Sequence, residues 1–354
     1  MNRPLRTLPL LIFLALAMPV PAAAAEPKGF EYFHTYAEVK AEIDATVAAH
    51  PGIARRFQIG RSYEGRKIWG IKISDNVASN ENEPEVFIHA QIHARERATN
   101  ELALAIIGWL TDNYGGAGAF AERITDIVNS REIFIVPTAN PDGAEFDMRG
   151  GVWHKWRKNR QPIPDSTAIG VDLNRQFGYK WACCGGSSGN PGSDTYHGPY
   201  AWFAPEARRY RDFVNSRVKD GEQQIKVILG LHAAGRLVLW PYSYTKQDIP
   251  PEMPRDDHFA FVALGRELAA LNGYRPMQGS DLYIVDGDHD DWAYRRHSIF
   301  AFSFEMRRGA AKRYYPTPSE LNADISANRP AVLHLLEQAD CPYRAAGLAA
   351  EYCQ

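Results

Sequence analysis

An imidazole and a carboxylate stand three residues apart in Ile92-His93-Ala94-Arg95-Glu96, at the end of the strand read at 85–92. On one turn leaving a strand, that spacing points both groups to the same side. A second histidine, His232, follows the buried strand read at 225–231 and so also stands at a strand end. Imidazole nitrogen and carboxylate oxygen are donors that zinc accepts. Two histidines and one glutamate make a three-ligand set that leaves a fourth position open for reaction. The chemistry such a centre supports is metal-assisted hydrolysis, with one Zn²⁺ per chain. A His-x-x-Glu pair alone is common by chance, so its meaning depends on what stands in register with it. His89, four residues before His93, is read as a packed strand histidine.

Other signals are weaker. Gly185-Gly186-Ser187-Ser188-Gly189 formally fits the serine-hydrolase pattern, which requires a strand before it and a helix after it. Here it follows Cys183-Cys184 and runs into Asn190-Pro191-Gly192, so it is read as a loop. The His-Glu-x-x-His motif is absent. The four cysteines, Cys183, Cys184, Cys341 and Cys353, match no common zinc spacing. In an exported chain an even count favours disulfides, with three pairings open. Cys341 with Cys353 would clip the C-terminal tail, Cys183 with Cys184 would be a vicinal bridge, and the remaining pairings would tie the tail to the central loop.

The elements that must position these groups follow from periodicity and punctuation. Residues 30–50 read as a helix, with Tyr36, Val39, Ile43 and Val47 at helical spacing. Strands are expected at 53–59, 67–73, 85–92, 131–137, 225–231, 237–241 and 298–305. Further helices are expected at 101–113, 205–218, 258–272 and 321–338. Asn140-Pro141-Asp142-Gly143 reads as a turn, and 148–197 reads mostly as loop. Strands alternating with helices imply an α/β sheet covered on both faces, and no composition break divides the chain into two domains. Long loops at strand ends are where such folds place their sites.

With 354 residues, 45% hydrophobic and 23% charged, the chain can bury a large core. A formal net charge of −2 and the lack of a basic, aromatic-interleaved stretch argue against nucleic-acid binding. Arg3 and Arg6, the apolar run 8–20 and the small residues 22–25 form a signal peptide over 1–25. No later segment is expected to cross a membrane. The expectation is an exported monomer, secreted or periplasmic, with residues 26–354 forming one domain that ends in a short tail.

Several separated motifs then resemble, in order, the zinc carboxypeptidases of the carboxypeptidase A, B and T type. They are His93-Ala94-Arg95-Glu96, Asn140-Pro141-Asp142-Gly143, Trp156-Arg157-Lys158 and Gly170-Val171-Asp172-Leu173-Asn174-Arg175. His232 ahead of Leu237-Val238-Leu239-Trp240-Pro241-Tyr242, Asp281-Leu282-Tyr283, Asp290-Asp291-Trp292 and Phe302-Ser303-Phe304-Glu305-Met306 continue the register. The resemblance spans about residues 30–336. It implies a single domain with a mixed, twisted central sheet flanked by helices on both faces. It also implies zinc held by His93, Glu96 and His232, with peptide or protein C-termini as substrates. Glu305 would be the general base that takes a proton from the attacking water, and Arg157 the oxyanion donor. Arg175, Asn174 and Tyr283 would grip the substrate's free carboxylate, Asp172 would orient His93, and Arg95 would line a subsite further from the cut.

By the same resemblance Asp290 faces the pocket for the last side chain, as in B-type enzymes, and Asp281 matches an acidic pocket position of T-type enzymes. Both imply basic C-terminal residues, with apolar ones tolerated. Departures are Ala233-Ala234, where digestive relatives carry Ser-Tyr, and too little chain before Phe30 for an inhibitory propeptide, which implies activity on export. A peptidoglycan-trimming or diaminopimelate-releasing enzyme of the same fold is the alternative. A dead binding module is disfavoured because Glu305, Arg157 and the ligands are all present.

Overall fold

The computed structural model describes residues 33–310 and 314–353. The signal-peptide reading lies outside these residues.

The first element of the described residues is helix α1 (Tyr36–Ala49), started by a capping box between Thr35 and Glu38. The antiparallel strands β1 (Ala54–Arg61) and β2 (Lys67–Ile73) follow, then β3 (Glu85–His89), α2 (Arg97–Asp112), α3 (Ala119–Val128) and β4 (Glu132–Val136). Next come α4 (Pro141–Asp147), a long loop region, α5 (Pro205–Ser216) and the small hairpin β5 (Val218–Lys219) and β6 (Glu222–Gln223). Strands β7 (Ile225–Ala233) and β8 (Leu237–Trp240) lead to α6 (Arg255–Asn272), β9 (Arg275–Gln278), the single turn α7 (Gly279–Leu282) and α8 (His289–His297). Strand β10 (Phe300–Met306), α9 (Pro318–Glu337) and α10 (Ala349–Tyr352) complete the order.

Eight strands form one mixed sheet in the order β1-β2-β4-β3-β7-β10-β8-β9. The central four are parallel neighbours. Being covered on both faces, they read as continuous apolar runs. One apolar core packs the sheet against α1, α2, α3, α6 and α9, through residues such as Ile43, Leu102, Leu264 and Leu333. A second core on the opposite face uses Tyr210 of α5, Trp292 of α8 and loop residues Val171, Leu173 and Phe177. The single-domain, two-faced α/β architecture expected from the sequence is therefore the one present.

Asn140-Pro141-Asp142-Gly143 is a correction. It starts α4 instead of forming a free turn, because the Asn140 side chain accepts from Gly143 N at 3.0 Å and Pro141 occupies the first turn. Cys183 pairs with Cys184, and Cys341 pairs with Cys353 across the C-terminal tail.

Candidate active site

Three parallel strands deliver their carboxyl ends to one point. The segment after β3 carries His93 and Glu96 into the start of α2, and His232 lies near the end of β7. Glu305 lies near the end of β10, in register with His232 on the neighbouring strand. His93 Nδ1 lies 3.0 Å from Glu96 Oε1 and 3.3 Å from His232 Nδ1, and His232 Nδ1 lies 3.3 Å from Glu96 Oε2. Ligands at about 2.0–2.1 Å around a tetrahedral zinc stand about 3.3 Å apart. The three buried donors thus already have the chemistry and the separations zinc demands. Burial would raise the Glu96 pKa, but the two imidazoles hold it well below the usual carboxylate range. The other candidate group among the described residues, Asp75, Glu81 and Glu83, is exposed or half-buried and has no imidazole.

Behind these atoms, His93 Nε2 lies 3.1 Å from Asp172 Oδ1, while Asp172 Oδ2 accepts from Arg157 Nε at 2.9 Å. Asp172 is fully buried, which alone would raise its pKa; Arg157, His93 and Arg175 hold it well below the ordinary value. Burial would likewise lower the Arg157 pKa, and the charges of Asp172 and Glu96 raise it instead. Arg157 is therefore a permanent cation beside the ligand cluster, its Nη1 3.7 Å from Glu96 Oε1.

Arg175 is buried and held from two sides. Its Nη1 donates to Asn174 O at 2.7 Å and its Nε to Gly186 O at 3.1 Å, leaving Nη2 as a buried donor with no partner. The glycine-rich loop has a structural task here. Cys184 N and Gly186 N donate to Asp286 Oδ2, and a Cβ at Gly186 would meet backbone of residues 284–286 within 2.7 Å. Asn174 Oδ1 accepts from His289 N, which fixes its amide plane.

The inner pocket beside Arg175 is lined by Leu239, Ser243, Val285, Asp288, Asp290 and Ser303, among others. Asp290 Oδ2 accepts from Ser303 Oγ at 2.6 Å, and Asp288 caps α8 by accepting from Asp291 N. Burial and the neighbouring Asp290 charge push Asp288 up to about 6. Asp281 is a correction. It is exposed and is not among the residues lining the pocket, because α7 turns Leu282 and Tyr283 toward the cleft and leaves Asp281 outside. The acids that line it are Asp288 and Asp290. The sequence reading missed Asp288 and His289, although the run Asp288-His289-Asp290-Asp291 carries four titratable groups in succession. Asp291 is structural, accepting from Ser243 N and Tyr244 N.

On the outer side, Tyr283 is 49% exposed and borders both the inner pocket and a groove containing Arg95, Ala233, Ala234 and Tyr314. Arg95 Nη1 donates to Asp194 Oδ2 at 2.7 Å. His89 lies outside the ligand cluster, buried edge-on against His289 at 4.4 Å between ring centroids.

Residues 39–331 match a family model described as zinc carboxypeptidase. A zinc carboxypeptidase of Saccharothrix mutabilis subsp. capreolus is 42% identical over 322 residues, covering 91% of this chain and 73% of that protein. Carboxypeptidase A1 of Bos taurus is 34% identical over 278 residues, covering 78% of this chain. The chain spans 62% of that bovine relative. Among solved structures, thrombin activatable fibrinolysis inhibitor superposes with a TM-score of 0.78 at 26% identity, over 88% of this chain and 75% of that one. Carboxypeptidase A from Helicoverpa armigera shares the fold, with a TM-score of 0.73 at 24% identity, over 91% of this chain and 76% of that one.

Proposed function

We propose that this chain, which belongs to the zinc carboxypeptidase family, releases C-terminal Lys and Arg from peptides and proteins while tolerating apolar residues. The observation that carries this reading is the pair of acids, Asp288 and Asp290, in the inner pocket. Buried carboxylates favour a cationic side chain and penalise an acidic one. Leu239 and Val285 offer apolar wall to the stem of Lys or Arg, or to an apolar residue in its place.

Arg175 Nη2 receives the terminal carboxylate, with Asn174 and Tyr283 completing the grip. An internal peptide bond brings no carboxylate to that donor, which confines action to chain ends. Held by His93, Glu96 and His232, zinc would supply a Lewis acid for the scissile carbonyl and lower the pKa of water toward ~7. Glu305 takes the proton from the attacking water and hands it to the departing amine. Arg157 donates to the oxyanion, and Asp172 holds both Arg157 and His93 in place for that moment. Arg95 borders the subsite beyond the cut.

The reading includes export and a monomeric state. Two cystines suit an oxidising compartment, and no helix among the described residues is long and apolar enough to cross a membrane.

The test is kcat/KM on matched peptides ending in Arg, Lys, Leu or Glu, each with a zinc chelator control. The expected order is Arg and Lys above Leu, with Glu poorest and all activity lost to the chelator. A preference for Leu over Arg would give the pocket an apolar specificity despite its acids. Muropeptides ending in diaminopimelate form a further arm, and faster turnover of these than of Arg peptides would favour the cell-wall reading.

A further inference from the structure

The two histidine ligands are supported differently. His93 has the Asp172 carboxylate behind it, whereas His232 has another histidine. His232 Nε2 lies 3.2 Å from His289 Nε2, and the two ring planes are only 4° apart, so the contact runs in the plane of both rings. His289 is fully buried in the first turn of α8. Its backbone N–H is tied to Asn174, and its Nδ1 lies 2.9 Å from Asp290 Oδ1. That last contact is short but off the axis of an aligned hydrogen bond, and neither atom has an aligned partner elsewhere.

The fold makes room for this ring. Gly230 sits inside β7, where a glycine weakens a strand unless something approaches closely. A Cβ at Gly230 would come within 2.5 Å of His289 Cε1 and 2.7 Å of its Nε2. His89 packs edge-on against the same ring.

We propose that His289 is a positioning residue for the metal ligand His232 and that it joins the zinc centre to the acid floor of the side-chain pocket. His232 turns Nδ1 toward Glu96 and His93, so its Nε2 carries the proton and donates it to His289 Nε2. His289 then keeps its own proton on Nδ1, facing Asp290 Oδ1. The other Asp290 oxygen accepts from Ser303. An aspartate of the inner pocket wall therefore also faces the protonated nitrogen of the residue behind a zinc ligand. The proposal rests on the zinc carboxypeptidase reading of the site.

The test is zinc retention by the full chain in competition with a graded chelator, alongside kcat and KM on one Leu-ended peptide. Removing a partner behind a ligand typically costs ~10–100-fold in metal affinity. His289→Phe should weaken zinc retention by that order and lower kcat with little change in KM. His289→Gln, long enough to accept from His232, should recover most of the loss, and the shorter His289→Asn should not. Gly230→Ala should weaken retention in the same direction with every polar group intact. Equal retention by wild type and His289→Phe would overturn the proposal and leave His289 a packing residue. Should His289→Phe fail to fold, equal retention by the Gln and Asn variants would overturn it instead. A wild-type chain that binds no zinc would contradict the metal reading itself, a separate failure.

Discussion

The cleft has two sides that meet at Arg157, Leu282, Tyr283 and Glu305, and they are built on different principles. The inner side is walled by buried charges held by protein partners. Asp172 is shared by His93 and Arg157, Asp290 is held by Ser303, and Arg175 is pinned by two carbonyls. Beyond Glu96 and Arg157, the outer groove is walled by Ala233, Ala234, Gly235 and the Arg95–Asp194 pair, in which the Asp194 side chain is 60% exposed. A desolvated charge whose geometry is already set discriminates by several kcal/mol, whereas an exposed pair is worth about 0–1 kcal/mol. Stringency should therefore be concentrated on the last residue of the substrate and fall away toward the chain interior.

Glu305 borders both sides, so Glu305→Gln should give the largest effect. A fall in kcat of about 10²–10⁴-fold with zinc content unchanged is expected. Wild-type turnover by that variant would remove Glu305 from the mechanism. Arg175→Ala comes next, on the inner side alone. It should cost about 2–5 kcal/mol in kcat/KM and erase most discrimination against C-terminally amidated peptides; undiminished discrimination would move the carboxylate grip elsewhere.

A pH series sharpens the inner side further. Asp288 is pushed up to about 6 by burial and the Asp290 charge, so it is neutral below that pH and an anion above it. Taking the ratio of kcat/KM for Arg-ended over Leu-ended peptides cancels the steps common to both. The ratio should rise through pH 6 by about tenfold, the equivalent of 1.4 kcal/mol. Asp288→Asn should flatten the step, and a ratio falling with pH would contradict the assignment. The smallest effect belongs to the groove. Arg95→Ala should lower kcat/KM on tripeptides by no more than about 1 kcal/mol. A hundredfold loss would show that the groove is as selective as the pocket and would dissolve the contrast.

The parts of this arrangement that follow from position along a strand were legible in the sequence. His93 and His232 are read from strands that end in a polar residue, Glu305 from the motif it shares with the zinc carboxypeptidases, and the helices on both faces follow from alternation of elements. Contacts made sideways were not legible. Nothing local to Gly230 says that a ring from α8, 59 residues later, lies against it. Asp281 was read as a pocket acid from its match to the T-type enzymes, but on a single turn of helix it is exposed, and the acids that line the inner pocket are Asp288 and Asp290. Asn140 carried a turn signature because the same side-chain-to-backbone bond that starts a turn also starts a helix. The long loop region at 148–197 is irregular, as its composition implies, yet its Gly186 carbonyl supports Arg175.

The unpartnered Nη2 of Arg175 ties heat resistance to occupancy. A buried donor without an acceptor costs a folded chain about 1–3 kcal/mol. Any carboxylate that reaches it relieves that cost in the folded state alone, so ligation and folding become linked equilibria. Free amino acids, the products of the reaction, carry that carboxylate. They should therefore both slow turnover and raise the melting temperature, and the enzyme should be hardest to unfold where its own products accumulate.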